Sequence, residues 1–400
     1  MFSPEATHDQ IGAVLNESGQ VRLDGQLHCF AVVVPGLEKL AAAELTALAA
    51  HGVEIVEGGV NFTGSMDALC RVNLRARCIT RVLVRLKSFK ALSFPELFNK
   101  AQKPAWERYI APHRPVSVKA SCHHTRLIHS GRAEQAVVDA ITEKLKKADV
   151  TLATSGDAQS DAIQLITVRI EDDRCVISID SSGERLDRRG YRLLSGPAPI
   201  RETVAAGILQ WMDWKPDEAL LVPMCGSGTF AIEAALMGQG RAVGLTHDFA
   251  FLHWPALHAK RWKRVLDKAT GMQKAVSLSI TASDMDEAVL QQAKSNADQA
   301  GVMDVITFHK QDVRTLQAPE HAQGGLIVCN PPYGDRIKGD VAGLYKDIGG
   351  LLKQDAFKGW RMAVIAPDKA CEQALGLKAK RCLKIKHGGK WVRVLHLEAK

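Results

Sequence analysis

The amino-acid sequence predicts an α/β protein whose second half is a doubly wound, mostly parallel sheet and whose first half is an α+β region. From residue 200 onward, short apolar runs alternate with helical segments, which is typical of parallel strands joined by crossover helices. Several of these runs end in glycine, aspartate or asparagine, where open α/β sheets place their ligand sites. Over residues 29–89 the order strand, helix, strand, strand, helix, strand predicts a ferredoxin-like unit.

Hydrophobic spacing and turn residues give the elements of the first half. Apolar positions recur at helical intervals in several segments, and Pro35-Gly36 and a later Gly-Gly pair mark turns. The predicted elements are, in order, a strand at 29–34, a helix from 37 that stops at Gly52, extended structure at 53–64, a helix from Met66, strands at 81–89 and 116–122, a helix at 132–148 and a hairpin at 162–180.

The second half contains five apolar runs that predict strands of the doubly wound sheet. They lie at 219–224, 277–284, 306–312, 325–330 and 362–368. The predicted division of the chain is a polar tail at 1–27, an α+β region at 28–181, a basic connector at 182–199 and the α/β half at 200–400.

Composition excludes several classes of protein. The 400 residues, 46% hydrophobic and 24% charged, are typical of a soluble protein of two or three domains. No uninterrupted apolar run has membrane-spanning length, and the N-terminus lacks the basic and apolar regions of a signal peptide. Nine scattered cysteines without a CxxC pair predict a reduced, cytoplasmic compartment. The adjacent Cys122, His123 and His124 lack metal-ligand spacing, so we predict no metal site.

A glycine loop follows the first strand of the α/β half. Gly226-Ser227-Gly228 separates an apolar run from a helix, an arrangement that lets backbone approach a ligand at a helix N-terminus. Because Ala231 can stand for the third glycine of G-x-G-x-x-G/A, a nicotinamide site stays open at this point. A phosphate-binding P-loop is excluded, since no Lys-Ser/Thr pair follows.

Two acids come after the glycine loop, each at a predicted strand end. Asp284 can accept both hydroxyls of a ribose, although a carboxylate there is also an ordinary helix N-cap. Asp312 can accept an adenine amino group, although it can equally be a turn aspartate.

The sequence Asn330-Pro331-Pro332-Tyr333 ends the fourth strand of this half. Prolines fix φ and remove donors, so the Asn330 side-chain carbonyl and the Pro331 backbone carbonyl can both face a planar exocyclic amine. The Tyr333 ring can stack on a base. Holding both amine hydrogens favours a localised nitrogen lone pair, which a methyl acceptor requires. A simple proline-rich turn is the alternative interpretation.

Together these motifs resemble the amino-methyltransferases that use S-adenosylmethionine. Residues 186–209 and 247–266, with "VPGLEKLAAAEL" and "GGVNFTG" in the first half, extend the resemblance to the THUMP-containing RNA methyltransferases, in particular the bacterial 23S rRNA guanine-N2 enzymes of the L type. The resemblance spans residues 28–398. It implies a Rossmann-like class I methyltransferase with a seven-stranded sheet, preceded by a ferredoxin-like and THUMP region, and S-adenosyl-L-methionine as cofactor.

The resemblance also implies site residues. Asn330, Pro331, Pro332 and Tyr333 would be catalytic. Residues expected at the cofactor are Ile200, Arg201, Glu202, Thr203, Met224, Cys225, Gly226, Ser227, Gly228, Asp284, Met285, Asp312, Val313 and Asn330. Glu233 on the following helix is either structural or part of the site. At the end of the first strand the family usually has an acid that supports the glycine loop or a cofactor-side water, and this chain has Val222 there.

The predicted partner is RNA. Net charge of +8 and a pI of about 9.0 fit a polyanion, although a merely basic protein has the same values. The residues predicted to contact phosphates, against the alternative of a solvated face, are Arg71, Arg75, Arg77, Arg81, Arg85, Lys87, Arg188, Arg189 and Arg192.

Guanine-N2 methylation of 23S rRNA is the function that the resemblance favours. Within the same chemistry, tRNA guanine-N2 and nucleic-acid adenine-N6 methylation stay open, because the motif specifies an exocyclic amine and not a base. Val222 also leaves open a non-catalytic RNA-binding assembly factor. A nicotinamide oxidoreductase would have no use for Asn-Pro-Pro-Tyr.

Overall fold

The computed structural model describes residues 25–112, 114–145, 163–192, 200–320, 322–332 and 340–399. Two seven-stranded sheets organise the molecule, one in each half of the chain. None of the helices in these ranges is long and apolar enough to cross a membrane.

The first sheet has the strand order β2-β3-β1-β4-β7-β6-β5. Its strands are β1 (Leu27–Val33), β2 (His51–Val56), β3 (Gly59–Gly64), β4 (Ile79–Lys90), β5 (Val116–His123), β6 (Gln164–Glu171) and β7 (Arg174–Asp180). Its helices are α1 (Glu38–Ala47), α2 (Met66–Arg75), α3 (Phe94–Ala101) and α4 (Ser130–Leu145). The order β2-β3-β1-β4 confirms the predicted ferredoxin-like unit.

Strand β4 belongs to two units at once. It is 12 residues long and pairs antiparallel with β1 on one side and with β7 on the other. The ferredoxin-like unit and the strands β5–β7 therefore form one continuous sheet.

Two details of the first half differ from the sequence prediction. The stop of the first helix at Gly52 is wrong, because the chain already turns at Ala49 (φ 60°) and Gly52 lies within β2. Helix α3 was not predicted, although its N-terminus carries recognisable signals: Ser93 accepts a hydrogen bond from the Glu96 N–H, and a proline lies in the first turn.

The second sheet has the order β10-β9-β8-β11-β12-β14-β13. Its strands are β8 (Ala219–Pro223), β9 (Ile280–Asp284), β10 (Thr307–Lys310), β11 (Gly325–Cys329), β12 (Arg361–Ala366), β13 (Arg381–His387) and β14 (Lys390–Glu398). Its helices are α5 (Glu202–Trp211), α6 (Thr229–Gly238), α7 (Ala259–Thr270), α8 (Glu287–Gln299), α9 (Val341–Leu351) and α10 (Lys369–Ala374). Five parallel strands precede an antiparallel β14, which confirms the doubly wound fold. The strand order reverses between β8 and β11, where such folds bind ligands.

One hydrophobic core continues from the first half into the second. It includes Leu37 of the first half and Ile208 of α5. Gly207 lies so close to Leu37 that a Cβ there would be 3.1 Å from both leucine methyl groups. The Glu44 carboxylate spans the same junction, since it accepts hydrogen bonds from the Cys78 N–H (2.9 Å) and the Gln210 side chain (2.6 Å).

Candidate cofactor and catalytic site

Four predicted motifs meet at one edge of the second sheet. Strands β8, β9, β10 and β11 are parallel neighbours, so their carboxyl ends lie side by side. The glycine loop follows β8, Asp284 ends β9, Asp312 follows β10 and Asn330 follows β11. The topology thus brings together side chains that are far apart in sequence.

The glycine loop has a left-handed backbone at three positions. Met224 (φ 51°), Gly226 (φ 56°) and Gly228 (φ 81°) all have positive φ. A Cβ on Gly226 would have no heavy atom within 4 Å, whereas one on Gly228 would lie 3.1 Å from the Cβ of Ala293 on α8. Gly228 therefore permits close helix packing, and Gly226 leaves open space beside the loop. A left-handed methionine costs about 1 kcal/mol, and such strain concentrates at functional sites.

Asp284 braces this loop. One of its carboxylate oxygens accepts a hydrogen bond from the Gly226 N–H (3.0 Å) and the other accepts one from the Asp286 N–H (3.1 Å). The helix N-cap alternative for Asp284 is wrong, because Asp286 caps α8. Its remaining lone pairs can still accept ribose hydroxyls. Met285, also predicted at the cofactor, is 68% exposed.

Asp312 has a local structural role. It caps the short turn at Val313–Thr315, where it accepts a hydrogen bond from the Arg314 N–H at 2.9 Å. The Arg314 guanidinium also lies 3.3 Å from Asp312 and 2.7 Å from Asp347. The turn-aspartate alternative thus describes what Asp312 does here, and a base contact stays a prediction. Val313 is buried beside it.

Asn330 presents an unusual buried acceptor. Within the described residues its side-chain oxygen Oδ1 is buried and has no hydrogen-bond partner. Such an oxygen costs about 1–3 kcal/mol unless a ligand satisfies it. Pro331 is buried and Pro332 is exposed. The predicted catalytic residue Tyr333 lies outside the described residues.

Arg192 links the start of α5 to α6, the helix that follows the glycine loop. Its Nη2 donates to the Ile200 carbonyl (2.8 Å) and to Thr229 Oγ1 (2.9 Å), and its Nε lies 3.1 Å from Glu202 Oε1. Burial raises the pKa of the Glu202 carboxyl to about 7, against the opposing charge of Arg192. Arg192 was predicted to contact RNA, but its guanidinium points inward and holds the predicted cofactor segment.

The other residues of the 200–203 segment and of the glycine loop differ in exposure. Arg201 is exposed. Thr203 is buried, and its Oγ1 has no hydrogen-bond partner among the described residues. Cys225 is buried, which raises the pKa of its thiol to about 12 with help from the negative charge of Asp284. Asn296 of α8 donates to the Ser227 carbonyl at 3.0 Å, so α8 holds the loop from outside.

Three more predicted RNA contacts are internal. Arg189 has a side chain only 2% exposed and lies 3.5 Å from Glu233 Oε1. Arg77 donates to the carbonyls of two residues at the end of α6 and beyond it, and lies 3.7 Å from Glu233 Oε2. Arg81 is paired with Asp180. These predictions are corrected, because each guanidinium already faces a buried carboxylate: Arg189 and Arg77 share Glu233, and Arg81 has Asp180.

The remaining predicted RNA contacts lie nearer the surface. Arg71 donates to the Leu48 carbonyl, and Arg75 donates to the Met272 sulfur. Arg85 lies 5.2 Å from the Phe30 ring centre, and Lys87 is half-buried. Arg188 is paired with Glu184. Their contact with RNA stays a prediction.

Glu233 is a structural residue in this arrangement. It is fully buried on α6, and Tyr191 donates to it at 3.2 Å beside the two arginines. A lone acid in the apolar helix "TFAIEAALMG" was the available signal. Val222 is buried within β8, in the core. Across the described ranges, no group of three or more His, Cys, Asp or Glu side chains could hold a metal ion.

Models of known families match three successive stretches of the chain. The RlmL ferredoxin-like domain matches residues 28–83, the THUMP domain matches 91–180, and the RMKL-like methyltransferase domain matches 189–392. The Synechocystis protein named "Putative RNA methyltransferase slr0064" is 35% identical over 364 residues, which are 90% of this chain and 94% of that protein.

Two solved structures share the whole fold. "Crystal structure of SMU.472, a putative methyltransferase complexed with SAH" has a TM-score of 0.84 and 28% identity, and covers 94% of this chain and 98% of its own. A Listeria monocytogenes protein described as "a predicted N6-adenine-specific DNA methylase" has a TM-score of 0.83 and 29% identity, covering 94% and 97%.

Proposed function

This chain belongs to the RMKL-like methyltransferases that carry an RlmL-type ferredoxin-like unit and a THUMP domain, and from that premise we propose that it methylates the exocyclic N2 amine of a guanine in 23S ribosomal RNA. It is an S-adenosylmethionine-dependent methyltransferase, and RNA is the substrate class of the family. The observation that carries the choice of an amine is the buried, unpartnered Oδ1 of Asn330 at the edge where the cofactor loop lies.

The residues at the sheet edge fit the cofactor. Open space lies beside Gly226, the left-handed loop exposes backbone, and Asp284 is fixed within reach of that loop. The segment from Ile200 to Thr203 would hold the methionine end. When bound, S-adenosylmethionine supplies an electrophilic methyl group.

The chain's own residues prepare the amine. The Asn330 Oδ1 and the Pro331 carbonyl accept its two hydrogens, which orients the nitrogen and opposes delocalisation of its lone pair. The Pro331 ring fixes the backbone φ between the two acceptors, which limits how far they can move relative to each other. The proton can leave after methyl transfer, so no strong base is required. Tyr333 is predicted to stack on the extruded base.

The L-type match of the ferredoxin-like unit supports guanine in 23S rRNA over tRNA. Adenine-N6 methylation is the second candidate, since the Listeria structure carries that description and adenine presents the same kind of amine. The THUMP match supports RNA over DNA.

We expect the purified protein, with radiolabelled S-adenosylmethionine, to methylate an unmodified 23S rRNA transcript. Nucleoside mass spectrometry of the product should show N2-methylguanosine. Parallel reactions with unmodified tRNA and with duplex DNA test the two alternative substrates. N6-methyladenosine as the product, or a preference for tRNA, would replace the proposed substrate, and no transfer to any of the three would contradict the enzyme.

Replacing Asp284 by alanine should weaken S-adenosylmethionine binding by roughly 1–3 kcal/mol. The ribose would lose its acceptor and the Gly226 N–H its 3.0 Å partner. Isothermal titration calorimetry without RNA measures the effect. Asp286→Ala is the matched control, because it removes a neighbouring carboxylate that only caps α8. Equal affinity in folded Asp284→Ala and wild-type protein would move the ribose site elsewhere.

A further inference from the structure

The terminal hairpin β13–β14 projects beyond the edge that holds the candidate site. The last residue pair between β12 and β14 is Ala366 with Arg393. Because β12 runs parallel to β11, the carboxyl end of β12 lies on the same edge as Asn330. Strand β14 starts three residues before Arg393, so the turn of the hairpin overhangs this edge by roughly 10 Å at about 3.3 Å per residue.

The hairpin also contacts the first half of the chain. The Lys386 N–H donates to the Pro35 carbonyl at 2.9 Å. Gly36 approaches the hairpin so closely that a Cβ there would lie 2.0 Å from the Lys384 carbonyl. These contacts fix the hairpin against the first half of the chain.

One face of the hairpin is basic and aromatic. Lys384 and Lys386 are exposed, and Trp391 is 49% exposed. Lys386 lies directly opposite Trp391 in the ladder, so both project from the same face, and the Lys384 ammonium lies 5.0 Å from the Trp391 ring centre. We call Lys384, Lys386 and Trp391 the hairpin patch.

The charges of the hairpin patch are available, unlike those of Arg77, Arg81 and Arg189. Among the described residues, no ion pair joins a carboxylate to either of its two ammonium groups. The residues that alternate with them, Ile385 and Val392, are buried and anchor the hairpin in the core. An aromatic ring beside cations that no carboxylate pairs with is the combination that binds single-stranded nucleic acid, through base stacking and phosphate contacts.

We propose that the hairpin patch binds the RNA strand that flanks the target nucleotide. A flanking base stacks on Trp391, and the lysines contact the phosphates on either side. This inference rests on the proposed function only in taking RNA as the occupant. It assigns to the second half of the chain a share of RNA binding that the sequence analysis predicts only for the first half and the basic connector.

The test measures RNA binding by hairpin variants and by a matched control. The variants are Trp391→Ala, Trp391→Phe and the double substitution Lys384→Gln/Lys386→Gln. The control is Lys353→Gln/Lys358→Gln, two exposed lysines before β12 and so at the opposite edge of the sheet. Filter binding of an unmodified 23S rRNA transcript is measured from about 50 to about 200 mM salt. Calorimetry with S-adenosylmethionine and circular dichroism report on the cofactor site and folding.

We expect the hairpin double variant to lower the slope of log affinity against log salt by roughly 1–2, because each lost phosphate contact removes about 0.7–0.9. Trp391→Ala should bind the transcript about tenfold more weakly, and Trp391→Phe should restore most of that loss by keeping a ring. Cofactor affinity should not change in any variant.

The proposal is overturned if the hairpin double variant and the control have the same salt slope, or if Trp391→Ala binds like the wild type. Failure of the proposed function is distinguishable, because it would appear as absent methyl transfer by the wild-type protein. The binding series still decides the role of the hairpin in that case.

Discussion

Replacing Asn330 by alanine should lower single-turnover methyl transfer by on the order of 10²-fold, at saturating S-adenosylmethionine and RNA. The loss is expected because the Asn330 Oδ1 is a buried acceptor with no partner within the described residues, at the edge where the amine would lie. Removing one preorganised acceptor affects the transition state, in which charge develops on the amine. Cofactor affinity, measured by calorimetry, should stay within a factor of about 2, because the carbonyl is assigned to the amine.

Two variants separate this role from a general disturbance of the site. Asn330→Asp keeps an oxygen acceptor at the same position and should retain more activity than the alanine variant. Pro332→Ala alters an exposed neighbour and should leave cofactor affinity unchanged. If Asn330→Ala lost cofactor binding but kept its single-turnover rate at saturating cofactor, Asn330 would belong to the adenosine site and not to the amine.

Replacing Glu233 by alanine should lower the free energy of unfolding by about 3–5 kcal/mol. Glu233 is fully buried, and its carboxylate faces Arg189 (3.5 Å) and Arg77 (3.7 Å), whose side chains are only 2% and 11% exposed. The substitution leaves two buried guanidinium groups without their countercharge. It also removes the acceptor of the Tyr191 hydroxyl. Midpoints and slopes of urea unfolding measure the loss.

Glu184→Ala is the matched control for this prediction. Glu184 also pairs with an arginine, Arg188, but both side chains are partly exposed, at 34% and 56%. Such pairs contribute about 0–1 kcal/mol. A similar loss of stability in the two variants would show that burial does not distinguish the two ion pairs, and that the Glu233 carboxylate is not the countercharge of the junction.

The sequence was sufficient to predict the ferredoxin-like unit, the parallel strands of the second sheet and the edge where the candidate site lies. Each motif is recognisable next to its own strand, and the carboxyl ends of parallel strands lie at the same edge of the sheet. The glycine loop, Asp284 and Asn330 meet for that reason. The terminal hairpin was missed because β13 mixes lysines with apolar residues and shows no long apolar run.

The roles of the arginines could not be predicted from local sequence, because their partners are distant. Asp180 is 99 residues from Arg81, and Glu233 is 44 residues from Arg189. A charged stretch looks the same whether its countercharges are phosphates or carboxylates supplied by another part of the fold. The choice between an N-cap and a loop brace for Asp284 likewise depended on which of two neighbouring acids starts α8.

Strand β4 has a consequence for how this protein can be divided. The ferredoxin-like and THUMP family models end and begin at residues 83 and 91, within or directly after a strand whose two ladders reach β1 and β7. Cutting the chain between residues 83 and 91 would turn an interior strand into an open edge. Open edges pair with other chains and aggregate. We therefore expect the two modules that separate family models describe to stay soluble only when they are produced together.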